Sequence, residues 1–371
     1  MTDVGETSGL GRPEAWRGFG RLPDRTGTAG LAVTTADQDA HRQWSFEADG
    51  PVHSSPAVVG DTVYVGSDDG NLYAVDADTG EQRWQFDTAD KVRSSPAVVD
   101  GTVYVGSDDG SLYAVDATDG SQQWAVETGG AVFSSPAVIH GTAYVGSRDE
   151  AVYAVDAEDG TVAWTFETNS DVVSSPAVVD GVVYVGSRDR GLYALDAADG
   201  TERWRFETGS FVESSPAVVG DTAYVGTDHG SVCAVAVDDG TERWRFETSY
   251  CVTGSPAVTD DTVFVGSHDT RVYALDAATG RECWRFETPY EVWSSPAVAG
   301  DTVCVGSGSL LSEGACVYGL DATTGECRWQ VETGGHAHSS VALVDGTAYL
   351  GCGDRHLRAL ALGETDRDHS S

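Results

Sequence analysis

The sequence predicts an all-β chain: eight four-stranded antiparallel blades closed into a ring, an eight-bladed β-propeller. Three observations predict it. Tryptophan recurs at 44, 84, 124, 164, 204, 244, 284 and 329, six intervals of 40 residues and a last one of 45. A Ser-Ser-Pro-Ala-Val segment recurs with it, starting at Ser54, Ser94, Ser134, Ser174, Ser214 and Ser294, as Gly-Ser-Pro-Ala-Val at Gly254 and as Ser-Ser-Val-Ala-Leu at Ser339. Each period holds four short runs rich in β-branched and aromatic residues, and a helical period of 3.6 is absent from all of them.

The unit that starts at Ser54 illustrates each element in order. SPAVV, TVYVGS, NLYAVDA and QRWQFDT are the four strand candidates, separated by the turn signals GD, DDG and DTG. Four strands per forty-residue period is the signature of a propeller blade. The first three strands occur eight times, from Ser54 to about Leu362, and so does the tryptophan strand. The register is offset, however. HRQWSFE around Trp44 precedes the first blade, and the last blade, from Ser339, has no tryptophan strand of its own. The simplest closure makes the Trp44 strand the outer strand of the final blade, which leaves no unpaired ring end. A linear solenoid is the competing arrangement, and the circular offset disfavours it. The domain plan is a lead-in segment over 1–30, one propeller over 31–362 and a polar tail over 363–371.

Composition narrows the function classes. The 371 residues carry 59 acidic and 22 basic side chains, a net charge of −37. That balance excludes nucleic acid and anionic membrane surfaces as partners, because phosphate contacts need clustered Lys and Arg. No stretch approaches the ~20 apolar residues of a membrane-spanning helix. The opening MTDVGETSGLGRPEAW shows neither a signal-peptide pattern nor a lipid-anchor cysteine, so cytoplasmic location is the expectation. Lys91 is the single lysine, and Asp outnumbers Glu about two to one. Such a chain repels itself in dilute salt. Screening to ~3 Å at 1 M salt removes that cost, so the composition reads as halophilic adaptation. A functional acidic surface that binds cations is the alternative.

From Ala74 the unit reads AVDADTGEQRW, with Ala, Asp, Thr, Gly and Trp at relative positions 1, 3, 6, 7 and 11. This resembles the tryptophan-docking motif of the pyrroloquinoline quinone (PQQ) repeat family, which includes quinoprotein dehydrogenases and BamB-type assembly proteins. The pattern recurs from Ala114, Ala154, Ala194 and Ala274; Ala236 replaces the Asp in one copy and Gly319 the Ala in another. The WRGFGRLPDRTG segment from Trp16 is similar to the strand that leads into such propellers. The physical content of the motif is independent of the name. Trp44, Trp84, Trp124, Trp164, Trp204, Trp244, Trp284 and Trp329 are large flat groups suited to filling a seam between blades, each burying roughly 150–250 Å². A glycine such as Gly80 permits the positive φ of a tight turn, and Asp76 can accept backbone N–H bonds before it.

Internal comparison divides the ring into two faces. The turn after SPAVV and the turn before each Trp are nearly constant and share one face. The other two connections vary and share the opposite face. The residue before SSP is His53, Arg93, Phe133, Val173, Glu213, Thr253, Trp293 and His338 in turn; two positions earlier stand Pro51, Lys91, Ala131, Asp171, Phe211, Cys251, Glu291 and His336. The second variable connection is DDG at Asp68 and Asp108, RDE at Arg148, RDR at Arg188, DHG at Asp228, HDT at His268 and GDR at Gly353, and it grows by five residues around Ser309–Cys316. One variegated face on a constant frame is how a binding surface is built. Relaxed selection on solvent loops is the bland alternative. The candidate partner-binding set is Lys91, Arg93, Phe133, Arg148, Arg188, Arg190, Phe211, His229, Tyr250, His268, Tyr290 and Trp293. The aromatic members would anchor a protein or peptide, and the cationic ones would complement an acidic partner.

Catalytic signatures are weak. The resemblance implies a cofactor test: quinoproteins cover PQQ with a disulfide between adjacent cysteines, beside Ca²⁺ held by carboxylate and amide ligands and a catalytic Asp. This chain has no Cys-Cys pair, and Asn71 and Asn169 lie in unrelated loops. The seven cysteines, 233, 251, 283, 304, 316, 327 and 352, have no zinc-site spacing, although a Cys283–Cys327 bridge stays open. His336 and His338, two apart on a strand, could face the same way and meet His53 as a three-histidine metal cluster; exposed loop histidines are the simpler reading. The SDDG stretches lack the length and terminal Glu of a Ca²⁺ loop. The expectation is a non-enzymatic, monomeric propeller without cofactor that binds a protein or peptide through its variable face. The alternative is a PQQ-dependent oxidoreductase or small-ligand binder at the channel mouth. The halophilic reading carries its own test. Raising NaCl from about 0.1 M to about 2 M at fixed pH should raise the thermal unfolding midpoint, and a flat or falling midpoint contradicts it.

Overall fold

Alternation in the strand runs puts one set of side chains into each gap between sheets, and the ring follows from repeating that burial. The structure, a computed structural model, describes residues 28–29, 40–259, 261–309 and 314–362. Blade 1 consists of Ala57–Val59, Thr62–Gly66, Asn71–Asp76 and Gln82–Asp87, from the inner to the outer edge. All pairings in it are antiparallel, with Ala57 opposite Tyr64, Tyr64 opposite Ala74 and Ala74 opposite Trp84. Seven further sheets repeat this order. The innermost strand is three residues long rather than five, because Ser55 and Pro56 lie outside the ladder, with the Ser55 N–H bonded to the neighbouring blade.

The ring closes as the strand offset requires. His41–Glu47 is the outer strand of blade 8, antiparallel to His356–Ala361, with Phe46 opposite Leu357 and Trp44 opposite Ala359. A fifth strand, which the repeat did not foretell, is added to blade 7. Thr28–Ala29 runs parallel to the inner strand Ala297–Ala299. The rest of the lead-in segment, including the run from Trp16, and the tail over 363–371 lie outside the described residues.

Among the described residues, seven of the repeat tryptophans belong to one blade and donate to a carbonyl of the next. The Trp84 indole N–H donates to the Ala117 carbonyl at 3.1 Å, and Trp124, Trp164 and Trp244 repeat the bond to Ala157, Ala197 and Ala277. Trp44 does the same across the closure, to Ala77 at 2.8 Å. Its ring lies on Gly80, whose φ of +75° and missing Cβ are both needed; a Cβ there would meet the indole at 2.8 Å. Asp76 accepts from the backbone N–H groups of Asp78 and Thr79 to hold that turn. Gly319, an apparent lapse in the repeat, sits where the Trp329 indole lies over its strand and leaves no room for a methyl group.

A second inter-blade device runs around the axis. The Ser55 N–H donates to Ser95 Oγ, Ser95 to Ser135, Ser135 to Ser175, Ser175 to Ser215, Ser215 to Ser255, Ser255 to Ser295, Ser295 to Ser340, and Ser340 back to Ser55. The eight bonds, 2.8–3.2 Å long, form a closed circle, six of them buried and the two at Ser295 partly so. The preceding serine serves its own blade; Ser54 Oγ accepts from the Gly66 N–H at 3.0 Å. An unmet buried N–H costs about 1–3 kcal/mol. Ser215→Ala, which removes the acceptor of the Ser175 amide, should therefore lower stability by about 1–3 kcal/mol in denaturant unfolding at constant salt. No change in midpoint would show that the circle is not structural.

Candidate functional site

The variable connections do meet on one face. Within every blade the two loops are tied by a backbone bond, Asp68 N–H to Pro51 carbonyl in blade 1 and Asp108 to Lys91, Arg148 to Ala131, and Arg188 to Asp171 in the next three. The middle residue of each triplet is structural. Asp69 accepts from the N–H groups of Asp49, Gly50 and Asn71 and from the Tyr73 hydroxyl. Asp109, Asp149, Asp189 and Asp269 hold Tyr113, Tyr153, Tyr193 and Tyr273 in the same way. The SDDG stretches are thus latches rather than calcium loops. In blade 5 both partners change together, to His229 and Cys233, so that substitution follows the loss of the latch.

The first triplet residue and the residue before SSP form a belt around the mouth. Asp68 receives His53 Nδ1 at 3.3 Å, Lys91 Nζ at 3.2 Å and a two-pronged Arg93 guanidinium at 2.9 Å. Arg93 also approaches Asp108 at 3.6 Å. The Arg93 and Arg148 guanidinium carbons both lie over the Phe133 ring, 5.4 and 5.3 Å from its centre. Arg148 and Arg188 share Asp171 at 2.9 and 3.0 Å, and Arg188 reaches Glu213 at 2.7 Å. The other half of the belt carries rings. Thr253 Oγ1 bonds His268 Nε2 at 2.8 Å; His268 packs on Trp293 with centroids 3.8 Å apart; Trp293 stacks on His338 at 4.8 Å. His338 stacks on His53 at 5.5 Å and touches His336 at 4.3 Å, which brings the belt back to Asp68.

This geometry corrects the electrostatic expectation. Lys91, Arg93, Arg148 and Arg188 are each neutralised by a carboxylate of the belt, so they are not free cations awaiting an acidic partner. Asp68 and Asp108 stand at the triplet position that holds Arg148 and Arg188 in other blades, and Asp171 and Glu213 lie in the connections before the serine pair, so the one-dimensional pattern could not turn them into pairs. Arg190 lies off the mouth, exposed, 3.4 Å from Glu207 on the outer strand. Trp293 and Phe133 are half-buried under neighbours, and Tyr290 lies against Gly314 in the longer loop of blade 7. Phe211 and Tyr250 are exposed, as is His229. His336 and His338 lie in an extended connection rather than on a strand, yet they do converge on His53. All seven cysteines are free thiols, Cys283 and Cys327 included.

Burial and pairing set the protonation states. Burial raises the Asp68 carboxyl, but the hydrogen bonds from His53 and Arg93 outweigh it and hold it well below the usual carboxylate range. Burial pushes Asp108 up, opposed by Arg93, and pushes Asp228 up, with Glu213 adding. Burial pushes His338 down to about 3, and His336, His53 and His268 push the same way. His336 and His268 are lowered too, again chiefly by burial. Among the described residues, five buried side-chain polar atoms have no hydrogen-bond partner: Asp108 Oδ1, Asp269 Oδ1, Trp293 Nε1, Ser307 Oγ and His338 Nε2. Three of the five, on Asp108, Trp293 and His338, belong to the belt.

Comparison with known proteins now adds to the geometry. The family model described as outer membrane protein assembly factor BamB matches residues 30–138, 128–250 and 228–367. The chain belongs to that family of PQQ-repeat propellers. Comparison with curated protein sequences gives no match. Among solved structures, BamB from Moraxella catarrhalis superposes with a TM-score of 0.73 at 20% identity, covering 87% of this chain and 100% of that one. The computationally designed Ika8 protein superposes at 0.78 with 17% identity, over 86% of this chain and 99% of that one. The quinohemoprotein alcohol dehydrogenase from Comamonas testosteroni gives 0.80 at 16% identity, over 96% and 82%. At such identities the likeness is one of fold.

The depressed histidines make a pH prediction. His338 in the folded chain titrates below its free value of 6.5, so the unfolded chain takes up a proton that the native one excludes. Stability is complete above about 6.5 and is lost as pH falls toward about 3. In chelator-treated protein, unfolding free energy should fall between about pH 6.5 and 4, and His338→Gln should flatten that slope. An unchanged slope in the variant would refute the assignment.

Proposed function

We propose that the chain is a non-enzymatic binding propeller that recognises a protein or peptide partner through its variable face. The observation that carries this is the exposure of Phe211 and Tyr250, 49% and 60%, on the connections into neighbouring blades 5 and 6. They stand on a rigid frame, beside a belt whose charges are already satisfied. Large aromatic groups held in water are costly unless a partner covers them, and they are the usual anchors of interfaces. Membership of a family named for an assembly factor supports a polypeptide partner. Since the arginines are paired within the belt, recognition rests on apolar contact and hydrogen bonding more than on attraction of an acidic surface.

The alternative reading as a PQQ enzyme finds little support among the described residues of the mouth. No two cysteines are adjacent in sequence. The Asn71 amide donates to Asp69 and Tyr73, away from the axis. Asp68, Asp171 and Glu213 are committed to arginines. These commitments speak against the quinone with its calcium ion at those positions, and no chemical step is derived through it.

Affinity capture from a native extract in about 2 M salt tests the binding reading, with wild type against Phe211→Ala/Tyr250→Ala. Loss of two anchors at more than 1 kcal/mol each should reduce the captured polypeptide by about 10-fold or more. Identical profiles for the two proteins would overturn the proposal.

A further inference from the structure

We propose that His53, His336 and His338 form a three-imidazole site for a divalent transition ion of the Zn²⁺ type, at the junction of blades 8 and 1, with one coordination position open toward the channel mouth. This goes beyond polypeptide recognition and is independent of it, since Phe211 and Tyr250 stand on other blades.

Four observations support it. First, closing the ring brings together residues 283 positions apart: His53 Nε2 lies 3.0 Å from His336 Nε2, and one ring nitrogen of each histidine falls within 4.8 Å of the others. Ligand nitrogens around a tetrahedral ion with bonds of ~2.0–2.1 Å are about 3.3 Å apart, near the His53–His336 separation, and the third nitrogen lies within reach of small side-chain adjustment. Second, Asp68 Oδ1 sits 3.3 Å from His53 Nδ1. A carboxylate on one ring nitrogen orients the other toward an ion and raises its basicity. Third, His338 Nε2 is buried with no hydrogen-bond partner. A bare nitrogen there is costly, and an ion would satisfy it.

Fourth, the surroundings are shaped for the His336 ring. The triplet position that carries Asp68 in blade 1 is Gly353 in blade 8, and a Cβ on Gly353 would run into that imidazole. The backbone there needs no positive φ, so glycine serves space rather than turn geometry. Histidines also occupy these connections at this junction alone; the places of His53, His336 and His338 in blades 2 to 6 hold Lys91, Arg93, Phe133, Asp171 and other residues of unlike chemistry. Three imidazoles without an oxygen donor select Zn²⁺, Cu²⁺ or Ni²⁺ over Ca²⁺ and Mg²⁺. The three-ligand count leaves the fourth place for water or a group of a bound partner.

The test uses the full chain stripped of metal and titrated with Zn²⁺ alone against a chromophoric chelator, followed by metal analysis of the dialysed protein. One ion per chain is expected, with affinity tighter than about 1 μM. Co²⁺ in its place should give the visible absorption of a tetrahedral site. His338→Gln should weaken binding by about 100-fold, and Asp68→Asn by about 10-fold. Gly353→Ala keeps all three ligands but displaces His336, and should weaken binding by about 10-fold or more. His229→Gln, at an exposed histidine of blade 5, should change nothing. Absence of stoichiometric uptake by the wild-type chain overturns the proposal, and that result does not depend on any variant folding. Uptake that survives both His338→Gln and Gly353→Ala also overturns it.

Discussion

A ring of sheets stands or falls with the joint between one blade and the next, and here that joint has two parts. At the rim, an indole lies on a glycine turn of the following blade and donates to its carbonyl. At the axis, a serine hydroxyl accepts the amide of the preceding blade, around a circle of eight. Both contacts are stereotyped in length and partner, so each blade is placed by its neighbour with little freedom. Closure then adds a condition that no open solenoid must meet: the last blade has to arrive in register with the first. The chain meets it three times, through the Ser340–Ser55 bond, the Trp44–Ala77 bond and the strand that pairs Phe46 with Leu357.

Such a frame frees the channel mouth from structural duty. In five blades the middle residue of the triplet latches the loop, so the first residue and the one before each serine pair can vary. They have diversified into two unlike halves. Over blades 1 to 5, acids and arginines pair with one another across the belt. Over blades 6 to 8 and back to blade 1, indole and imidazole rings pack on one another, stacked or tilted. Net charge is a poor guide to either half. A chain of −37 holds a mouth whose guanidinium groups are all paired, because the pairing partners come from adjacent blades.

The depressed histidines and the unpartnered Trp293 and His338 nitrogens share one cause. Stacking rings on a rigid rim excludes water, and the frame offers few polar groups at that depth. Burial is favourable for the ring carbons and unfavourable for the nitrogens. Elsewhere in the molecule the same conflict is resolved by repeat-specific partners, as for Tyr73 on Asp69. At this junction the repeat supplies none, which is why the polar atoms there point to function.

Much of this was legible in one dimension. A forty-residue period, four β-rich runs and the displaced Trp44 strand specify blade number, strand order and the site of closure, because those depend on local propensity and on counting. The division into a constant and a variable face was also readable, since alternate connections of an antiparallel sheet must emerge on opposite sides. What only the tertiary structure decided is pairing across blades: that the second serine of each pair links neighbours, that Arg93 and Arg188 spend their charge on Asp68 and Asp171, and that a connection after the seventh blade delivers two histidines to a third at the chain's beginning. The period tells which residues are equivalent, but the distance between inequivalent ones depends on the curvature of the whole ring.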